Sequence, residues 1–188
     1  MSKSDPSAQR KERNKTIRWV VTIFLVTILV SGTISLLSDV LMEGSHIAVA
    51  FVILLVIILI GIIFDIVGMA VATADEKPFH SMAARKVPGA QEAIRLLRNA
   101  ERVSSICNDV VGDICGIVSG SASAAVVAYV INMNPNLSSV LMSLVITAAV
   151  AALTVGGKAV GKSIAMKYSN YIIYNAARVL SILKFRSK

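Results

Sequence analysis

Residues 19–37 read WVVTIFLVTILVSGTISLL, a stretch without a single charge. As a helix rising ~1.5 Å per residue it nearly spans a hydrocarbon layer of roughly 30 Å. Three further runs share this character. Residues 47–74 are apolar apart from Asp65, residues 103–131 hold Asn108, Asp109, Asp113 and many small residues, and residues 137–155 carry no charge. Across 188 residues, 55% are hydrophobic and only 16% charged, which is too apolar for an ordinary soluble domain. The expected fold is an all-α integral membrane protein with transmembrane helices over residues 19–41, 47–74, 103–131 and 137–157.

The net charge of +8 raises the possibility of a nucleic-acid partner. That reading needs basic residues gathered on a water-facing domain. Here every Lys and Arg flanks an apolar run, in residues 3–18, 77–102 or 158–188, while the connections 42–46 and 132–136 contain none. No nucleic acid is expected. The alternation places both termini and the central segment in the cytoplasm by the positive-inside rule, in a multi-pass protein of the cell membrane. A cleaved signal peptide fits less well, because the first run is long and no A-x-A site follows it.

Residues 1–18 form a basic tail with nothing to bury, expected to be disordered and drawn to anionic lipid, and residues 19–188 form one transmembrane domain. The central segment opens with a loop, DEKPF, followed by an amphipathic helix over residues 88–102. Ala93, Ile94, Leu97 and Ala100 line one face and Glu92, Arg95, Arg98 and Arg102 lie largely on the other, the pattern of a helix in the headgroup plane. A second interfacial helix is expected over residues 163–184, where Tyr168, Tyr171 and Tyr174 favour the membrane boundary. In the third run, Asn108, Gly112, Gly116 and Gly120 recur every four residues, a small-residue stripe expected to form the packing seam of the bundle or of a homodimer.

Few residues could carry chemistry. Cys107 and Cys115 stand ~12 Å apart along one helix, too far to bond to each other, and read as buried small residues. His46 and His80 fall in loops on opposite sides of the membrane. No nucleophile, phosphate-binding loop or zinc spacing is present, so the chain is not expected to be an enzyme. The intramembrane acids stand out, because a carboxylate in hydrocarbon costs several kcal/mol unless paired, hydrated or protonated. Asp109 and Asp113, one turn apart, share a helical face, and Asp65 falls at a similar depth. With the Asn108 carbonyl they supply the oxygen ligands that hard cations such as Mg2+ take. The alternative is that Asp65 pairs with Lys158 or another base, while Asp109 and Asp113 face a wet vestibule.

From Ile63 onward the chain resembles the transmembrane domain of the CNNM/CorC family, membrane proteins linked to magnesium and cobalt transport. FDIVGMAVATA resembles the family's F-S-G-x-E-x-A segment. ARKVPGAQEAIRLLRNAERVSSICNDVVGDI resembles its G-x-x-A-x-x-L-L…G-N-x-x-x-N region, and GGKAVGKSIAMKYSNYIIYNAARVLSIL its G-E-x-x-P-K-x-x-A region and juxtamembrane helix. The resemblance implies ion ligands at a serine, an asparagine and a glutamate. The asparagine is kept as Asn108, but Asp65 stands at the serine position and Lys158 at the glutamate position. Gly161 replaces the family proline, and Lys162 matches. The resemblance carries no nucleotide-binding CBS pair, and an additional helix precedes it.

Two functions follow as expectations. The first is cation transport or binding, with Mg2+ as the candidate ion, through Asp65, Asn108, Asp109 and Asp113. The second is a non-transporting scaffold or subunit of the same fold, its ion site closed by an Asp65–Lys158 ion pair. The expected partners are the lipid bilayer, a second copy of the chain, and a separate cytoplasmic or membrane subunit.

Overall fold

The computed structural model describes residues 6–42, 47–133 and 138–186, and every element among them is a helix. The helices are α1 (Pro6–Met42), α2 (Ile47–Thr73), α3 (Lys77–Ala84), α4 (Ala90–Arg98), α5 (Ala100–Ser105), a π-helical segment (Ile106–Gly112), α6 (Asp113–Met133), α7 (Ser139–Lys167) and α8 (Ser169–Arg186). Four stretches are long and apolar enough to cross a membrane: Asn14–Leu37, Ala48–Thr73, Ala100–Met133 and Ser139–Lys167. The expectations for residues 1–5, for both basic-free turns, and for His46 fall wholly or largely outside the described residues.

Helix α2 stands at the centre, with α6 and the π segment on one side and α7 on another, while α1 packs mainly on α6. Leu54 and Ile58 of α2 meet Ala122 of α6 and Val150 of α7 in one buried cluster. Ile57 meets Val110, Ile114, Cys115 and Val118 in a second. Only a narrow stripe of α1, including Ile23, Val30 and Ile34, joins that cluster. Most other residues described on α1 between residues 14 and 37, among them Phe24, Leu25 and Leu29, are exposed, as suits a helix whose outer face meets lipid.

The basic end of the bundle is capped by α3, α4 and α8 around Phe79, only 1% exposed, with Ala93, Ile173 and Ala177. The expected DEKPF loop is therefore largely helix. The Asp75 carboxylate accepts the Lys77 amide at 3.0 Å and Pro78 sits in the first turn, where its missing N–H costs nothing. The expected helix 88–102 divides at Asn99 into α4 and α5. Its apolar face turns onto protein, since α4 packs against α8. Gly89, at φ 85°, allows this contact: an added Cβ would meet the Arg178 backbone at 3.1 Å.

Other boundaries also differ from expectation. Helix α1 begins at Pro6, inside the tail expected to be disordered, because residues such as Ala8, Gln9 and Glu12 favour helix and extend an existing one without a new nucleus. Helix α7 continues to Lys167, ten residues beyond the expected 157, and carries Lys158 and Lys162 within the spanning stretch. Gly156 and Gly157 resemble a helix end, yet Gly157 lies against Ile62 and Gly161 against Ile66 of α2, and this packing outweighs their poor propensity. The last helix accordingly starts at Ser169 rather than 163.

Candidate functional site

Glycines bring three backbones together around Asp65. On α2, a Cβ at Gly61 would meet the Cys115 Cβ at 2.8 Å, and one at Gly68 would collide with the Asn108 amide. The π segment and α6 therefore lie close on α2. On α7, Gly161 admits the Ile66 side chain, which an added Cβ would meet at 2.8 Å. Asp65 sits between these contacts with its side chain 5% exposed.

Two lysines one turn apart on α7 face this acid. Lys158 Nζ donates to the Gly112 carbonyl at 3.1 Å, and lies 3.9 Å from Asp65 Oδ1 and 3.7 Å from Asp113 Oδ1. Lys162 Nζ lies 3.9 Å from Asp65 Oδ2. The contacts to the carboxylates are coulombic, being too long for hydrogen bonds. Lys158 is 20% exposed, whereas Lys162 and Asp113 are 46% and 66% exposed. Two cations thus face two acids, and the Lys158 ammonium takes the central place.

Asn108 donates from Nδ2 to Ser104 Oγ at 3.2 Å, while its Oδ1 is buried without a donor, as is Asp65 Oδ2. Asp109 stands apart from Asp65. It is exposed, accepts the Ser105 hydroxyl at 2.7 Å, and lines a 540 Å³ cavity with Glu101, Ser104, Ser105 and Asn108. The three acids do not assemble, and among the described residues no group of three His, Cys, Asp or Glu side chains is placed to hold a metal ion. The π turn supplies the reason. Its wider turn ends at Gly112, between Asp109 and Asp113, and turns the two carboxylates toward different partners.

Mg2+ demands near-octahedral oxygen ligands at about 2.0–2.1 Å. An arrangement with one ammonium inside the oxygen set and another beside it does not fit that ion. Lys162 belongs to the cluster although sequence reasoning grouped it with the cytoplasmic bases; its spacing of four from Lys158 was the available signal.

The small-residue stripe divides. Gly112 lies against the Cys107 carbonyl and the Asp65 and Lys158 side chains, whereas a Cβ at Gly116 or Gly120 would meet nothing within 4 Å. A spacing of four drifts by roughly 40° per step on an α-helix, which carries the later glycines away from the seam. The seam within the chain is made instead by Gly61, Gly68, Gly157 and Gly161. Cys107 and Cys115 are free and buried, and His80 pairs with Glu76 at 3.1 Å.

Comparison of the chain with known protein families, curated proteins and solved structures finds no match.

Proposed function

We propose that the chain is a multi-pass membrane protein that binds or moves a cation at the Asp65 cluster, on a plan similar to CNNM/CorC transmembrane domains, with Lys158 holding the seat in a closed state. The observation that carries this reading is an ammonium ion in an oxygen-lined seat. Lys158 Nζ contacts the Gly112 carbonyl and stands between the Asp65 and Asp113 carboxylates. Asp65 Oδ2, and Asn108 Oδ1 on the π segment against Gly68, are buried without donors. Buried oxygens of this kind are ordinarily satisfied, and a cation is one means of satisfying them. Entry of magnesium or another cation requires Lys158 to withdraw.

The alternation of basic and base-free segments supports cytoplasmic termini in the cell membrane. The unfilled space at Gly116 and Gly120 supports a homodimer.

A second reading, a non-transporting scaffold or subunit, is favoured by the balance of two lysines against two acids. Such a pair network neutralises the site without any ion. Proteoliposome flux of magnesium, with and without a sodium gradient, separates the two. Transport predicts flux in the native chain and stabilisation by magnesium that grows in Lys158→Ala, because an ion that binds only the folded state stabilises it by mass action. Absence of flux, together with no magnesium stabilisation in either protein, would establish the scaffold.

A further inference from the structure

A separate feature lies at the basic end of α1. The Arg102 guanidinium stands 5.3 Å from the centroid of the Trp19 ring, joining α1 to α5. Beneath this contact is a 240 Å³ pocket lined by Lys15, Arg18, Trp19, Thr22 and Arg102. It adjoins a second, of 360 Å³, to which Thr16, Glu101 and Ser105 contribute. Three cations and one acid give this corner a net charge of about +2. Among the described residues neither Arg18 nor Arg102 forms an ion pair. Thr22 donates to the Arg18 carbonyl at 2.7 Å within its own helix, and the Arg18 and Arg102 guanidiniums are charged donors lining the pocket.

The position of the pocket narrows the ligand. Trp19 is the first residue of the charge-free run, where an indole marks the boundary between headgroups and hydrocarbon. From there α1 continues with exposed Leu25, Val26 and Leu29, an apolar track starting at the cationic corner. A ligand with an anionic head and apolar tails satisfies both parts, whereas a free anion uses only the first. We infer that the corner formed by Lys15, Arg18, Trp19 and Arg102 is a binding site for the phosphodiester headgroup of an anionic phospholipid, whose acyl chains follow α1. The site is independent of the Asp65 cluster. It anchors α1, which otherwise adheres to the bundle through a narrow stripe.

The protein contains one tryptophan, so Trp19 reports on its own site. The full chain is reconstituted in phosphatidylcholine vesicles, and Trp19 fluorescence is quenched with phosphatidylglycerol brominated near the headgroup end of its acyl chains, or with phosphatidylcholine brominated likewise. The expected result is at least an about three-fold preference for the anionic lipid, falling as ionic strength rises. Arg18→Gln with Arg102→Gln should bring the preference close to unity. Arg102→Lys, which keeps the charge, should retain most of it and covers the case in which the double variant fails to fold. Equal quenching by both lipids in the native chain overturns the proposal. So does full displacement of the brominated lipid by inorganic phosphate at equal concentration, which would identify a site for the free anion.

Discussion

Replacing Lys158 by methionine removes the central charge of the Asp65 cluster while keeping much of the side-chain volume. At 3.9 Å from a buried carboxylate, the lost attraction is about 4 kcal/mol at an effective dielectric of 20. The Gly112 carbonyl also loses a charge-assisted hydrogen bond, a contact of about 1.5–3 kcal/mol. Against this, the methionine needs no desolvation of an ammonium, and Lys162 still faces Asp65. Lys162 is nearly half exposed, so its own compensation is about 1 kcal/mol or less. The expected net destabilisation is about 3 kcal/mol, the lower edge of what breaking a buried pair costs. At about 2–4 °C per kcal/mol for a chain of this size, thermal unfolding in detergent followed by circular dichroism should shift down by 6–12 °C. Asp65→Asn in the same molecule should restore about 2 kcal/mol, because the orphaned acid is then neutral. Additive effects of the two substitutions, or a Lys158→Met variant as stable as the native chain, would refute the pairing.

Gly68→Ala should destabilise by about 1–3 kcal/mol, since its methyl group collides with the Asn108 amide; a denaturation midpoint unchanged from native would count against the close α2–π contact. Phe79→Ala should cost about 3–5 kcal/mol and loosen the α3–α4–α8 cap, read as faster backbone exchange in α8. Gly116→Leu meets open space within one chain, so it should leave monomer stability alone and lower the dimer fraction in detergent sedimentation; an unchanged oligomer would remove the stripe as a dimer seam. Single cysteines at Ser45 and Asn134, in a background lacking Cys107 and Cys115, should label from outside the cell, and those at Ser81 and Ser187 from inside; one reversed label would break the topology.

The spanning helices are legible in the sequence because a long run without charge has one physical solution in lipid and needs no knowledge of its neighbours. Asp65 is legible as a candidate for the opposite reason, being a charge in a place where charge is costly, whereas Lys158, just past the expected end of α7, is legible as a partner for that acid and at the glutamate position of the family it resembles. The assembly of the acids is not legible. Same-face placement of Asp109 and Asp113 assumes a uniform α-helix, and the π turn between them has no local mark in ICNDVVG. Helix ends fail in the same way. Gly156 and Gly157 stop a helix by propensity, but here Gly157 and Gly161 are contact surfaces for Ile62 and Ile66, a fact that belongs to α2. Lys162 matches the family lysine, but with α7 expected to end at 157 its place one turn beyond Lys158 on the same helix is not evident. The amphipathic face of α4 was visible, but its partner was not, since apolar side chains look the same whether they meet lipid or α8.

The separation of Asp65 from its lysines along the chain bears on biosynthesis. Helix α2 emerges from the ribosome two spanning helices before α7, so its acid must enter the bilayer while Lys158 and Lys162 do not yet exist. An aspartate near a helix centre opposes insertion by about 2.5–3.5 kcal/mol, and each Leu, Ile, Phe or Val favours it by about 0.3–0.6 kcal/mol. The dense aliphatic sequence of α2, which holds little amphipathic pattern of its own, supplies the needed surplus. Helix α7 has the converse difficulty, two lysines near its final turns, but it arrives to find a carboxylate already waiting. Translation order thereby makes α2 the helix that must insert on its own apolar strength, and α7 the one whose insertion is completed by docking.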